Sequence, residues 1–165
     1  MPFDCFAYGS NMFTVKMRQA APSAVFKAIA RLPSYRLRFN KMSDDGSGKG
    51  NIVPTDEAGA EVWGVVFEIE DRDRTLLNDS EGGYAPVMIK VLTSEGTRSV
   101  LTYIAKLNRV DDARRPYTWY KEFVVRGAEE HELPNAYQEQ LQTVAATEDP
   151  NQGREQRSRA LLNQR

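Results

Sequence analysis

Two groups of residues in this chain have the types and spacing to do chemistry. The first is Phe6-Ala7-Tyr8-Gly9-Ser10-Asn11-Met12. An apolar run from Phe3 to Tyr8 breaks at Gly9, Ser10 and Asn11, residue types that let a backbone turn and expose its N–H groups. Ser10 or Asn11 is placed to cap a following short helix, leaving N–H donors aimed at a carboxylate or an oxyanion. The second is Asp79-Ser80-Glu81-Gly82-Gly83-Tyr84. It places a carboxylate between a helix and a strand, with glycines that let a ligand approach the backbone. A glutamate titrates at about 4.3 in water, so holding a proton near neutral pH requires desolvation. Tyr8, Tyr84 and Tyr120 are candidate pocket phenols. The plainer alternative is an ordinary turn, a turn carboxylate and packing tyrosines.

Composition narrows the rest. The chain has 165 residues, which suits one domain with a real core. Lys+Arg number 22 against 23 Asp+Glu, so no basic excess draws it to nucleic acid or an anionic membrane. No apolar run approaches the ~20 residues that span a bilayer. Met1 to Ser10 lacks a charged leader and a signal-type apolar segment, and the single cysteine, Cys5, allows no internal disulfide. A cytoplasmic chain is expected. One histidine, His131 in Glu-Glu-His-Glu, reads as part of a solvated helix face. One His and one Cys do not make a structural zinc site of the usual kinds. Cys5 reads as a small core residue. The chemistry is left to carboxylates, tyrosines, lysines and backbone dipoles.

The elements that position these groups follow from pattern. Met12 to Ala20 reads as a short helix and Val25 to Leu32 as a strand. Tyr35, Leu37 and Phe39 alternate with arginines as a half-buried strand. Lys41 to Gly50 is polar and Gly-rich and reads as a flexible lid or rim. Its Gly46-Ser47-Gly48-Lys49-Gly50 fails the phosphate-loop test on spacing and on the missing Ser/Thr after the lysine. Glu61 to Glu70 is the clearest strand, and Gly64 within it weakens it unless something approaches closely there. Asp71 to Asn78 reads as a short helix with Asp71 as N-cap. Val87 to Thr93 and Thr97 to Ala105 form a hairpin. Pro116 opens a helix carrying Tyr120, Phe123, Val124 and Gly127, which restarts at Pro134. The domain is expected over residues 1–146, with 147–165 as a flexible or partner-docked polar tail.

Taken together, these segments resemble the γ-glutamylcyclotransferase family. The resemblance rests on Phe6-Ala7-Tyr8-Gly9-Ser10-Asn11, on Gly50 to Pro54 with Glu61 to Val66, and on Asp79 to Gly82. It continues through Pro116 to Tyr120, Gly127-Ala128, Leu133-Pro134 and Tyr137, spanning about residues 3–142 in order. It implies an α+β fold: a small, mixed, mostly antiparallel β-barrel flanked by helices. It implies cyclisation of a γ-glutamyl amino acid or amine to 5-oxoproline with release of the free amine, without metal or organic cofactor. By resemblance Glu81 is the general acid/base, the backbone at Gly9, Ser10 and Asn11 binds the γ-glutamyl group, and Tyr8 and Tyr120 are pocket tyrosines.

The mammalian members carry a longer segment with its own tyrosine after the glutamate. Here that segment is compressed, and Tyr84 either takes the place of that phenol or points elsewhere. The family includes glutathione-specific, γ-glutamylamine-specific and antibiotic-biosynthesis members, and the sequence does not choose between them. The expected partner is a small γ-glutamyl compound, not nucleic acid or a membrane, and a homodimer is left open. Two rival readings are a non-catalytic small-ligand module using the same pocket and an interaction protein working through its tail.

Overall fold

A computed structural model describes residues 1–164. Residue 165 of the expected tail lies outside the described residues. Five strands close into a barrel in the order β1 (Phe3–Ala7), β5 (Glu61–Ile69), β2 (Val25–Pro33), β6 (Tyr84–Thr93) and β7 (Gly96–Ala105). Every pairing is antiparallel except β1 with β7, which run parallel through Cys5 opposite Leu101. The expected mixed, mostly antiparallel barrel is therefore present. Beside it, β3 (Tyr35–Met42) and β4 (Gly48–Pro54) form a two-stranded sheet. The helices are α1 (Thr14–Ala20), α2 (Arg74–Ser80), α3 (Thr118–Glu130), α4 (Asn135–Gln142) and α5 (Gln152–Leu162). None of the described helices is long and apolar enough to cross a membrane.

Alternation along the strands divides the core. Phe6, Ala30, Leu32, Val62, Val66, Val91 and Val100 come from all five strands and fill the barrel. Residues of opposite parity, including Cys5, Val65, Phe67, Ile69 and Leu101, pack under Met12, Met17, Phe123 and Val124. β5 is apolar on both faces because one meets the interior and the other the helices. Gly64 has the close neighbour its position asked for: a Cβ there would lie 2.4 Å from the Ala7 carbonyl oxygen. Cys5 is buried, which pushes its thiol pKa far up and keeps it an unreactive core residue.

Four expectations are corrected. The expected lid is a hairpin, with Gly48 to Gly50 inside β4. Asp45 accepts from Ser47 N–H at 2.9 Å and from Lys49 Nζ at 3.1 Å, and Tyr117 Oη donates to the Asp45 carbonyl at 2.6 Å. Those bonds pin the turn that composition alone made flexible. Asp71 does not cap a helix; it starts a 3₁₀ turn after Glu70 and its side chain accepts from Arg74. His131 is not solvated. Its ring stacks on Phe26 with centroids 5.0 Å apart, and Nε2 lies 2.9 Å from the Met12 carbonyl oxygen. Burial lowers its pKa, while the Glu130 charge and that carbonyl oppose the shift.

The fourth correction concerns the tail. Residues 152–162 form α5, capped by Asn151, whose side chain accepts from Arg154 N–H. Asp149 is buried and accepts from Trp119 Nε1 at 2.9 Å and from two Arg154 nitrogens at 2.6 Å. Arg159 reaches Glu122 of α3 at 2.7 Å, and Leu162 is buried in the main core. Two of the basic residues of the tail, Arg154 and Arg159, are thus engaged within the chain.

One packing detail governs the N-terminal turn. α3 crosses the 3₁₀ turn Ser10–Met12 at Gly127, where a Cβ would lie 2.6 Å from both Met12 Cβ and Phe13 N. Alanine in place of a mid-helix glycine ordinarily stabilises by about 0.5–1 kcal/mol. Gly127→Ala is expected to do the reverse, destabilising by about 1–3 kcal/mol, because backbone must move to admit the methyl group. Denaturant unfolding checks the sign; a stabilised variant would refute the close approach.

Candidate active site

Glu81 is the C-cap of α2, with φ −103° and ψ 47°. Its N–H donates to the Asn78 carbonyl and its own carbonyl accepts from Tyr84 N–H, both at 3.1 Å. The chain turns through Gly82 and Gly83 into β6. Gly83 has φ +85°, and a Cβ there would lie 2.8 Å from Lys41 Cε. Both its conformation and its surroundings call for glycine.

The Gly9–Asn11 turn reaches the same place from the end of β1. The helix caps here are Gly9 and Phe13, so neither Ser10 nor Asn11 caps a helix as the residue types had suggested. Asn11 instead donates from Nδ2 to Glu81 Oε1 at 3.0 Å, while its Oδ1 accepts from Lys16 Nζ at 3.3 Å. A charge-assisted bond to a carboxylate outcompetes a neutral cap. The first bond of the 3₁₀ turn runs from Met12 N–H to the Gly9 carbonyl at 3.1 Å. The N–H groups of Ser10 and Asn11 therefore stand outside it.

The three tyrosines converge on the backbone. Tyr8 Oη donates to the Tyr103 carbonyl at 2.5 Å. Tyr84 Oη donates to the Gly50 carbonyl at 2.6 Å, and Tyr120 Oη accepts from Gly50 N–H at 2.9 Å. Tyr84 and Tyr120 thus hold both polar groups of one glycine. Burial raises the pKa of all three phenols, with Glu81 adding to the shift; for Tyr120, Gly50 N–H and Ser10 pull the other way. All three are neutral at physiological pH, and Glu81 is the one carboxyl among the expected residues.

Tyr8, Gly9, Ser10, Asn11, Glu81, Tyr84 and Tyr120 all line one cavity of about 420 Å³. A larger groove of about 1010 Å³, between β3 and α4, holds none of them. Desolvation raises the Glu81 pKa, opposed by Lys16, Lys41 and the Asn11 bond. A carboxyl so placed can hold a proton closer to neutral pH than a free glutamate and still release it. Among the described residues no cluster of His, Cys, Asp or Glu is arranged to hold a metal ion.

Among the lining residues that sequence reasoning missed are three lysines, Lys16, Lys41 and Lys49. Lys49 was inside the discarded phosphate-loop pattern, and Lys16 was read only as part of a helix. Lys41 had a faint signal: it occupies the next odd position after Tyr35, Leu37 and Phe39. β3 takes up an extra residue between Arg38 and Lys41, a bulge of the kind that re-aims a side chain beside a site.

Residues 61–141 match the AIG2-like family. The mouse protein named gamma-glutamylcyclotransferase is 36% identical over 151 residues, covering 87% of this chain and 79% of the relative. The human protein of the same name is 34% identical over 146 residues, covering 84% and 77%. A solved structure named gamma-glutamyl cyclotransferase superposes with a TM-score of 0.84 at 29% identity, covering 97% of this chain and 99% of that one.

Proposed function

The chain belongs to the γ-glutamylcyclotransferase family, and on that premise we propose that it converts γ-glutamyl amino acids or amines into 5-oxoproline, with Glu81 as general acid/base. The observation that carries this reading is a desolvated glutamate, oriented by Asn11, in a cavity that the Gly9–Asn11 turn also lines.

The chemistry needs no enzyme nucleophile. The substrate's own α-amine attacks its γ-carbonyl carbon after the Glu81 carboxylate removes a proton from the ammonium. The new C–N bond leaves an oxyanion on the former carbonyl oxygen, which the Ser10 and Asn11 N–H groups are aimed to stabilise. As the old amide bond breaks, the Glu81 carboxyl returns its proton to the departing nitrogen, which also takes up the second proton of the new ring nitrogen and leaves as an ammonium. Glu81 ends ionised, and the products are 5-oxoproline and the free amine. The tyrosine-lined walls hold the γ-glutamyl chain folded, removing an entropy cost that the free substrate meets in solution.

Assay of γ-glutamyl dipeptides, glutathione and γ-glutamyl-ε-lysine for 5-oxoproline tests the reading. Product from at least one is expected. Binding without product from any of them would favour the non-catalytic module.

A further inference from the structure

Helix α3 holds the Ser10–Met12 turn at three levels. Near its start, Tyr120 lies beside Ser10. Further along, Gly127 lets the helix lie against Met12 and Phe13. At its end, Glu130 and the C-cap residue His131 reach the junction of the turn with α1. Thr14 N–H donates to Glu130 Oε1 at 3.0 Å, and His131 Nε2 lies 2.9 Å from the Met12 carbonyl oxygen and 3.1 Å from Thr14 Oγ1. A carbonyl only accepts, so Nε2 carries the ring proton and donates it. Burial lowers the pKa of this ring, so the neutral imidazole makes the bond.

The Met12 carbonyl depends on that donor. Met12 is buried, the turn closes on the Gly9 and Ser10 carbonyls, and α1 opens from the Phe13 carbonyl. Among the described residues no backbone N–H bonds to the Met12 oxygen. An unpaired buried carbonyl is costly, so without the imidazole this peptide unit would rotate toward another donor. It follows directly on Ser10 and Asn11, and Asn11 holds Glu81 Oε1 at 3.0 Å. The ring is fixed from elsewhere: it stacks on Phe26 with centroids 5.0 Å apart and meets Phe67 edge-on at 5.7 Å. None of these three rings lines the cavity.

We propose that His131 is a positioning residue for the reaction: its Nε2–H holds the Met12 carbonyl from outside the cavity and so sets where Ser10 and Asn11 stand inside it. This rests on the cyclising reading above. The histidine touches no substrate. It acts through the turn, on the backbone that meets the γ-carbonyl oxygen and on the amide side chain that orients Glu81. Contacts of that kind matter most when the oxyanion has formed, so the loss of the donor falls on kcat more than on KM.

Two variants separate the donor from the ring. His131→Phe keeps a flat ring against Phe26 and Phe67 and loses the donor. His131→Gln loses the ring and keeps an N–H at the reach of Nε2. His131→Phe is expected to lower kcat for 5-oxoproline release by roughly 10- to 100-fold with KM changed less than about threefold. His131→Gln is expected to melt below His131→Phe and yet keep near-native kcat. A merely structural histidine gives the reverse order, with activity following melting temperature. Native kcat in His131→Phe, or a loss in His131→Gln as large as in His131→Phe, would overturn the proposal. If His131→Phe does not fold, His131→Gln decides alone: near-native kcat upholds the proposal and any larger loss overturns it. If the native protein releases no 5-oxoproline from any γ-glutamyl compound, the cyclising reading fails instead. Hydrogen exchange at the Met12 and Phe13 amides, which close the turn, then decides the positioning. Faster exchange in His131→Phe with native exchange in His131→Gln upholds it, and any other pattern overturns it.

Discussion

Glu81→Gln is expected to reduce 5-oxoproline release by about 10⁴-fold while leaving a folded protein. General acid/base catalysis typically contributes about 10²–10⁴-fold, and one carboxyl serving two proton steps belongs at the top of that range. The amide keeps an acceptor for Asn11 Nδ2, so the side chain retains its place. Asp79→Asn is the control, since Asp79 is exposed and outside the cavity lining. The pH dependence separates proton transfer from mere crowding. Burial raises the Glu81 pKa above its ordinary 4.5, and the ionised form is the one that accepts the first proton. The acid limb of kcat/KM should therefore lie above that value and be missing from whatever activity Glu81→Gln retains. The same shift has a stability sign. The folded state binds the proton more tightly than the unfolded chain, so this group's contribution is full below 4.5 and is lost as pH rises through its folded pKa. Ionising Glu81 thus works against stability, a cost of the kind that functional residues carry. Near-native turnover by Glu81→Gln, with loss in Asp79→Asn, would move the proton carrier; no effect from either would end the carboxylate mechanism.

The parts of the site legible in sequence were those whose chemistry is local. A strand that ends in Gly-Ser-Asn and a glutamate between a helix and two glycines signal themselves within a few residues. What sequence hid depends on distant partners. Nothing near Gly48 announces a strand; it becomes one because β3 pairs with it so tightly that a Cβ would lie 2.0 Å from the Phe39 carbonyl oxygen. His131 sits among glutamates and reads as wet, yet its ring is covered by Phe26 and Phe67, which are far away in the chain. α5 has almost no apolar stripe, so periodicity missed it. Its support is an Asn151 cap, an Asp149–Arg154 pair and one buried leucine, features visible in sequence only once a helix is supposed. The lysines were hidden for a different reason. Lysine on a polar stretch is the ordinary solvated case, and only the convergence of α1, β3 and β4 on one cavity brings these three together.

The structure separates tyrosines that the family pattern treats alike, and this yields the second large effect. Tyr8 spends its proton on the Tyr103 carbonyl and Tyr84 spends its own on the Gly50 carbonyl. Tyr120 accepts from Gly50 N–H and has Ser10 beside it, and among the described residues no carbonyl takes its hydroxyl proton, which is left to meet a substrate oxygen. Tyr120→Phe is therefore expected to lower kcat/KM by roughly 10- to 100-fold, the worth of a hydrogen bond to a charged group. It also leaves Gly50 N–H without its acceptor, a loss of about 1–3 kcal/mol that melting should detect. Tyr8→Phe is expected to act the other way round. It leaves the Tyr103 carbonyl short of a donor and lowers stability by about 1 kcal/mol, with less than a tenfold change in turnover. Steady-state kinetics and thermal unfolding on both variants give the comparison. If Tyr8→Phe proved the more damaging to turnover, the Tyr8 hydroxyl would have to leave Tyr103 when substrate binds, and the free donor in the cavity would be Tyr8 rather than Tyr120.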